Sequence, residues 1–263
     1  MNTIIIAISS VTILGAIAAA LLAIASKVMH VAVDERITRI QESLPGSNCG
    51  ACGFPGCAGY ADAVVNGGAK SNLCTPGGAA VVTAISEILG IQGEAAVKKL
   101  AVIHCCGDNE THPKKMTYQG IETCYAMVNS TYAGESACAY GCLGHGDCKK
   151  VCPEDAIFVE NGLAYILAKH CTGCGMCVKA CPNNIITIED GLFRTRILCS
   201  SLEKGAAARK RCSHACLACS RCVKECPKEA VVVENNLAKI NYEKCIDCGH
   251  CATVCPTKCI QVA

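Results

Sequence analysis

Apolar and polar positions divide the chain unevenly. From Ile4 to Ala25 the sequence is uncharged and mainly apolar. At about 1.5 Å rise per residue, a helix over that stretch crosses a hydrocarbon core of about 30 Å. Gly15 and Ala18–Ala20 are small enough to let a second helix pack closely against it. Beyond Lys27 the pattern turns amphipathic and predicts a stalk to about Ser43, stopping at Pro45-Gly46. A short helix is expected over Ala58–Val65. Further on, CPEDAIFVENGLA (Cys152–Ala164) and CPKEAVVVENNLA (Cys226–Ala238) repeat one another. Each predicts two short strands joined by a turn, at Asn161-Gly162 or Asn235-Asn236.

Charge orients the first helix. Lys27, Arg36 and Arg39 follow the apolar stretch, so the N-terminus lies outside and the rest of the chain in the cytoplasm. A cleaved signal peptide fits less well, because no basic segment precedes the stretch and it is too long. The formal net charge of +2 understates the acidity of a chain whose thiols carry metal, and it gives no support for a nucleic-acid partner. There is no GxGxxG fingerprint and no P-loop lysine motif, hence little sign of a nucleotide site.

Composition then changes the picture. Among 263 residues there are 26 Cys, three Phe and no Trp, so large aromatic side chains cannot organise the core. The cysteines recur at short regular spacing in a long chain, which favours metal ligation over a disulfide scaffold. Metal binding then supplies folding energy.

The strongest motif is CxxCxxCxxxC followed by Pro. It occurs at Cys171, Cys174, Cys177 and Cys181, at Cys216, Cys219, Cys222 and Cys226, and at Cys245, Cys248, Cys251 and Cys255. This is the bacterial ferredoxin pattern, in which the fourth Cys of each run serves the other [4Fe-4S] cluster of a pair. The crossed sets are Cys216, Cys219, Cys222 with Cys255, and Cys245, Cys248, Cys251 with Cys226. A stretched variant places Cys138, Cys142, Cys148 and Cys152 before Pro153. By analogy, one cluster takes Cys138, Cys142, Cys148 and Cys181, and its partner takes Cys171, Cys174, Cys177 and Cys152. Upstream, CGACGFPGC (Cys49–Cys57) supplies Cys49, Cys52 and Cys57 for a single cluster, with Cys74 as fourth ligand. Zinc is the competing reading of a CxxC pair, but the CxxCxxxxC triad with one distant Cys is less typical of it.

Six cysteines remain: Cys105, Cys106, Cys124, Cys199, Cys212 and Cys259. Cys259 stands where the repeat has Ile185 and reads as a buried apolar residue. One thiol of the 105–106 pair with Cys124, Cys199 and Cys212 makes a candidate sixth set. The alternative is unligated thiols in a small α+β segment. His145, His170 and His250 adjoin ligand cysteines and are assigned no ligand role, since every ferredoxin run already has its full complement of thiols. Arg209-Lys210-Arg211 reads as a solvated loop.

The expected fold is therefore α+β. A transmembrane helix (1–26) and stalk (27–45) precede a small helical single-cluster module (46–77) and an α+β connector (78–136). Two ferredoxin-like domains (137–190 and 215–263) follow, joined by a second connector (191–214). The chain holds five [4Fe-4S] clusters, or six with the last set, and performs electron transfer with no catalytic site of its own.

The order of parts, with SNCGACGFPGCAGYA (Ser47–Ala61) and CAYGCLGHGDCKKVCP (Cys138–Pro153), resembles the B subunit of the Rnf complex over essentially the whole chain. The two ferredoxin pairs are similar to the longer versions found in anaerobes. The resemblance implies a subunit of a membrane complex that couples ferredoxin:NAD⁺ oxidoreduction to Na⁺ or H⁺ translocation. Its partners would be soluble ferredoxin as electron donor and the A, C, D, E and G subunits, with the NAD site on C. It would sit in the inner (cytoplasmic) membrane as a single-pass protein, with its clusters on the cytoplasmic side. At His104-Cys105-Cys106-Gly107 the family pattern has one Cys, a non-Cys residue and Gly, which favours Cys105. A membrane-bound polyferredoxin serving another reductase or a redox sensor is the alternative. A flexible joint near Gly46 and between Gly77 and Lys98 would let the cluster-bearing head move between partners.

Overall fold

A computed structural model describes the backbone of residues 2–28, 34–93 and 98–262. The first helix is α1 (Asn2–Val28), with side chains described for residues 12–25. All of these are exposed, the large apolar Leu14, Leu21, Leu22 and Ile24 included. Among the described residues no helix is long and apolar enough to cross a membrane.

Of the expected stalk (27–45), residues 29–33 lie outside the described ones, as do 94–97 of the second expected joint. The rest of the stalk forms α2 (Glu35–Ser43). Asp34 opens that helix by accepting the Arg36 N–H at 2.9 Å. Leu44, held extended by the following Pro45, closes it. Far from standing free, α2 buries Ile40 and Leu44 against α3 (Gly56–Asn66) and α4 (Gly78–Leu89), around Tyr60, Val64, Val81 and Ile85. Each helix contributes one apolar stripe to this core. The first module therefore extends on both sides of residues 46–77, and α4 ends it at Gly90, a left-handed cap.

The first of two similar units comprises β1 (Lys99–Ile103), α5 (Cys124–Val128), α6 (Asp147–Lys150), β2 (Ile157–Glu160), β3 (Leu163–Ile166), α7 (Met176–Ala180) and β4 (Ile186–Asp190). The second comprises β5 (Thr195–Ile197), α8 (Gly205–Arg211), α9 (Arg221–Lys224), β6 (Val231–Glu234), β7 (Leu237–Ile240), α10 (His250–Thr253) and β8 (Ile260–Val262). In both, a hairpin turns on two residues of positive φ, Asn161-Gly162 or Asn235-Asn236. A second antiparallel pair closes each unit. β1 pairs with β4, with Ile103 opposite Ile186, and β5 pairs with β8, with Ile197 opposite Ile260. The correspondence continues past the strands. His104 N–H donates to the Ile185 carbonyl and Leu198 N–H to the Cys259 carbonyl, both at 2.7 Å. The two connectors thus each give a strand to a unit. Arg209-Lys210-Arg211 is the last turn of α8 rather than a loop; positive charge suits that end of a helix, and Arg211 lies 3.6 Å from Glu203.

A polar network ties the units together. Arg196 on β5, only 6% exposed, pairs with Glu189 on β4 at 2.6 Å and donates to the carbonyls of Asp190 and Phe193. His104 hydrogen-bonds Thr187 through Nε2 at 2.7 Å and donates to the Ile197 carbonyl through Nδ1 at 2.8 Å. Removing one partner of a buried pair leaves the other charge uncompensated. Arg196→Met is expected to cost about 3 kcal/mol and to lower the thermal midpoint of the loaded protein more than Glu189→Gln does. An unchanged midpoint would count against this network as the tie between the units.

Candidate functional site

All 26 cysteines are free thiols among the described residues. The loops that carry them share one backbone device. The residues two and four places after the first Cys are left-handed in each run: Gly144 and Gly146, Gly173 and Gly175, Ala218 and Ser220, Asp247 and Gly249. That alternation curls the chain so that amide N–H groups face inward, which suits an anionic sulfur-rich group. At Gly173 a Cβ would stand 2.6 Å from the Lys99 carbonyl oxygen, so only glycine fits. Ala218, Ser220 and Asp247 hold the same conformation at a cost of about 1–2 kcal/mol each; the surrounding fold offsets it.

Five groups of four thiols result. In the first module Cys74 faces Cys49, Cys52 and Cys57. In the first unit Cys177 faces Cys152, Cys171 and Cys174. In the second unit Cys222 faces Cys216, Cys219 and Cys255, and Cys251 faces Cys226, Cys245 and Cys248. The remaining group of the first unit differs from expectation. Cys142, Cys148 and Cys181 are joined by Cys124, and Cys138 lies elsewhere. The reason is local. The second unit has Cys219 where the first has His145, so the first run lacks one thiol. Cys124 begins α5, capped by the Thr123 hydroxyl, which accepts from Ala126 N–H at 3.1 Å. Tyr125 N–H donates to Asp147 of α6 at 3.0 Å, and Met127 is buried beside it. These contacts seat Cys124 in the vacated position. The sequence held a signal for this: the CxxxC spacing of Cys138–Cys142 recurs as Cys212–Cys216.

Backbone amides are turned toward several of these sulfurs. Ala101 N–H donates to Cys171 Sγ, Ala156 to Cys152, Ala230 to Cys226 and Asp247 to Cys245, at 3.3–3.4 Å. Among the described residues no three Cys, His, Asp or Glu side chains close around a single ion. Four thiols about each space, with amides turned toward sulfur, make a donor set that suits a cubic cluster with four outward ligands. Burial pushes the thiols of Cys177 and Cys222 up to about 11 and that of Cys148 to about 12, so taking up metal releases their protons. Cys259 is buried as expected, but it is not merely apolar: its Sγ lies 3.6 Å from Cys255 Sγ, and this contact lowers the Cys255 pKa.

Between the first module and the first unit lies a cleft of about 990 Å³. Thiols of two groups line it, Cys49 and Cys74 on one wall and Cys171 and Cys174 on the other, with Lys99 and Lys169 alongside. Lys179 bridges the gap, donating to the Cys49 carbonyl at 3.0 Å.

Family models match the same segments. One described as "Putative Fe-S cluster" covers residues 44–76, and three 4Fe-4S dicluster domain models cover 135–182, 170–230 and 215–260. Several [4Fe-4S] clusters are therefore supported. The B subunit of the Na(+)-translocating ferredoxin:NAD(+) oxidoreductase complex of Acetobacterium woodii is 43% identical over 93% of this chain and 74% of its own length. Its counterpart in the proton-translocating ferredoxin:NAD(+) oxidoreductase complex of Clostridium ljungdahlii is 40% identical over 81% and 75%. The B subunit of the ion-translocating oxidoreductase complex of Methanosarcina acetivorans is 36% identical over 88% of both chains.

The Cys124 geometry is directly testable. Cys124→Ala is expected to remove about four iron atoms per chain, with loss of the paramagnetic signal of one first-unit cluster after reduction. Retention of full iron by that variant would show that Cys124 is no ligand.

Proposed function

The chain belongs to the B-subunit family of ion-translocating ferredoxin:NAD(+) oxidoreductase complexes, and from that premise we propose how its parts serve such a complex. It is an iron–sulfur electron-transfer subunit of an oxidoreductase. Five [4Fe-4S] clusters are held by Cys49, Cys52, Cys57 and Cys74; by Cys152, Cys171, Cys174 and Cys177; by Cys124, Cys142, Cys148 and Cys181; by Cys216, Cys219, Cys222 and Cys255; and by Cys226, Cys245, Cys248 and Cys251. A bound cluster supplies reversible one-electron chemistry, at a potential set by hydrogen bonds to sulfur, nearby charge and burial. The chain's own work is to fix four thiols around each site and turn amides toward them.

The observation that carries this reading is the repeated loop: three uninterrupted CxxCxxCxxxCP runs fold with left-handed residues at equivalent places and thiols facing a common space. Two further parts follow from sequence pattern and relatedness. The apolar stretch Ile4–Ala25 of α1 crosses the inner membrane once; the exposed apolar side chains of residues 13–24 support this, and the basic residues after it put the cluster-bearing part on the cytoplasmic side. Soluble ferredoxin is the electron donor, and the A, C, D, E and G subunits complete the complex, with NAD bound outside this chain. The relatives' names carry both Na⁺ and H⁺, so the translocated ion is one or the other.

Washed membranes prepared with and without this protein test the proposal. Reduction of NAD⁺ by reduced ferredoxin and the accompanying Na⁺ or H⁺ uptake are both expected to vanish without it and to return on complementation. Persistence of both activities would make the chain a membrane-bound carrier for another acceptor.

A further inference from the structure

Four cysteines outside the five groups come from four separate stretches and meet where the two units face each other. Cys105 follows β1 and Cys199 follows β5, while Cys138 and Cys212 each stand four residues before the first thiol of a ferredoxin-type run. One pocket is lined by all four, with Cys106 and Gly107. Cys138 acts on both Cys199 and Cys212. Cys105, Cys138 and Cys212 are buried and Cys199 is partly so.

The arrangement obeys the internal repeat. Cys142 N–H donates to Cys105 Sγ at 3.3 Å, and Cys216 N–H donates to Cys199 Sγ at 3.3 Å. Cys142 and Cys216 are the matching first thiols of the two runs. Cys105 therefore corresponds to Cys199 and Cys138 to Cys212, two thiols from each unit. Cys106 is the fifth sulfur in the pocket and acts with Cys199 and Cys212. Its counterpart in the repeat is Ser200, whose hydroxyl donates to the His104 carbonyl at 2.9 Å. That position serves a structural bond in one unit, so the shared hydrogen-bond geometry favours Cys105 over Cys106. At Gly107 a Cβ would collide with the His112 ring and stand 2.9 Å from Cys212 Sγ, so only glycine lets this backbone lie against both.

We propose that Cys105, Cys138, Cys199 and Cys212 hold an additional [4Fe-4S] cluster shared between the two ferredoxin-like units. The inference rests on reading the other five thiol groups as [4Fe-4S] sites. Loading forms four iron–sulfur bonds and releases four thiol protons to solvent, with no change in oxidation state. A core of charge +2 with four thiolates leaves −2 at the junction. The ligand set differs from the sequence-based one by exchanging Cys124 for Cys138. The site adjoins a cluster group on each side, through Cys142 and through Cys216, and so joins the two pairs into one series.

The test is iron, sulfide and zinc analysis of the full chain after anaerobic reconstitution, with electron paramagnetic resonance of the reduced protein. About 24 iron atoms are expected for the unaltered chain and about 20 for Cys138→Ala and for Cys212→Ala. The signals of the five other clusters should persist in both variants, which separates loss of one site from misfolding. Cys106→Ala is expected to keep about 24. A count of about 20 in the unaltered chain, with both variants unchanged, would overturn the site while leaving the five-cluster reading intact. Zinc in place of iron at this site, or loss of four iron atoms from Cys106→Ala but none from Cys105→Ala, would overturn the proposal as stated. An unaltered chain that binds no iron would instead overturn the five-cluster reading.

Discussion

Burying sulfur under amides that point toward it is the constraint around which this molecule is built, and most of its local structure can be traced to that requirement. With three Phe and no Trp, the two units fill their interiors with Ile, Val, Ala and the thiols themselves; Ile157, Leu163 and Ile186 pack with Cys148 and Cys177 in one, and Val231 and Ile260 pack with Cys222 and Cys251 in the other. Such interiors bury little apolar area per residue, so metal binding has to contribute to folding. The left-handed residues follow from the same need. Ala218, Ser220 and Asp247 carry backbone strain that an ordinary loop would relieve, and they keep it because relaxing would turn the amides away from sulfur.

The duplication explains why two connectors vanish into the units. A hairpin alone leaves its flanks open. Each unit therefore recruits a strand from the chain before it, β1 for β4 and β5 for β8. Because β4 and β5 are separated by only a short turn, Glu189 and Arg196 are brought side by side, and a network that stabilises each strand also couples the units. The one break in the repeat, His145 in place of a thiol, is repaired by an inserted segment rather than left open.

Much of this was legible in the residues. The unbroken cysteine runs, the Asn-Gly and Asn-Asn turns and the helix over residues 58–65 all have short-range causes, and they appear in the structure at or within a few residues of their expected places. What escaped was long-range. The recurring CxxxC spacing sets Cys138 apart from the run, but Cys124 has no local signature that says which group it joins; that depends on the Tyr125–Asp147 hydrogen bond and on strands contributed from outside the motif. The packing of α2 and α4 on α3 was hidden for the same reason, since an amphipathic stripe shows that a helix is covered but not by what.

The first module meets the first unit across open space, with Lys179 reaching over to the Cys49 carbonyl. One hydrogen bond from a charged donor is worth about 1.5–3 kcal/mol at most, little more than a few multiples of thermal energy. Tunnelling between redox centres falls exponentially with their separation. With clusters seated on both walls, such a gap would act as a throttle: a small spread of the walls slows the passage of charge without altering the driving force on either side.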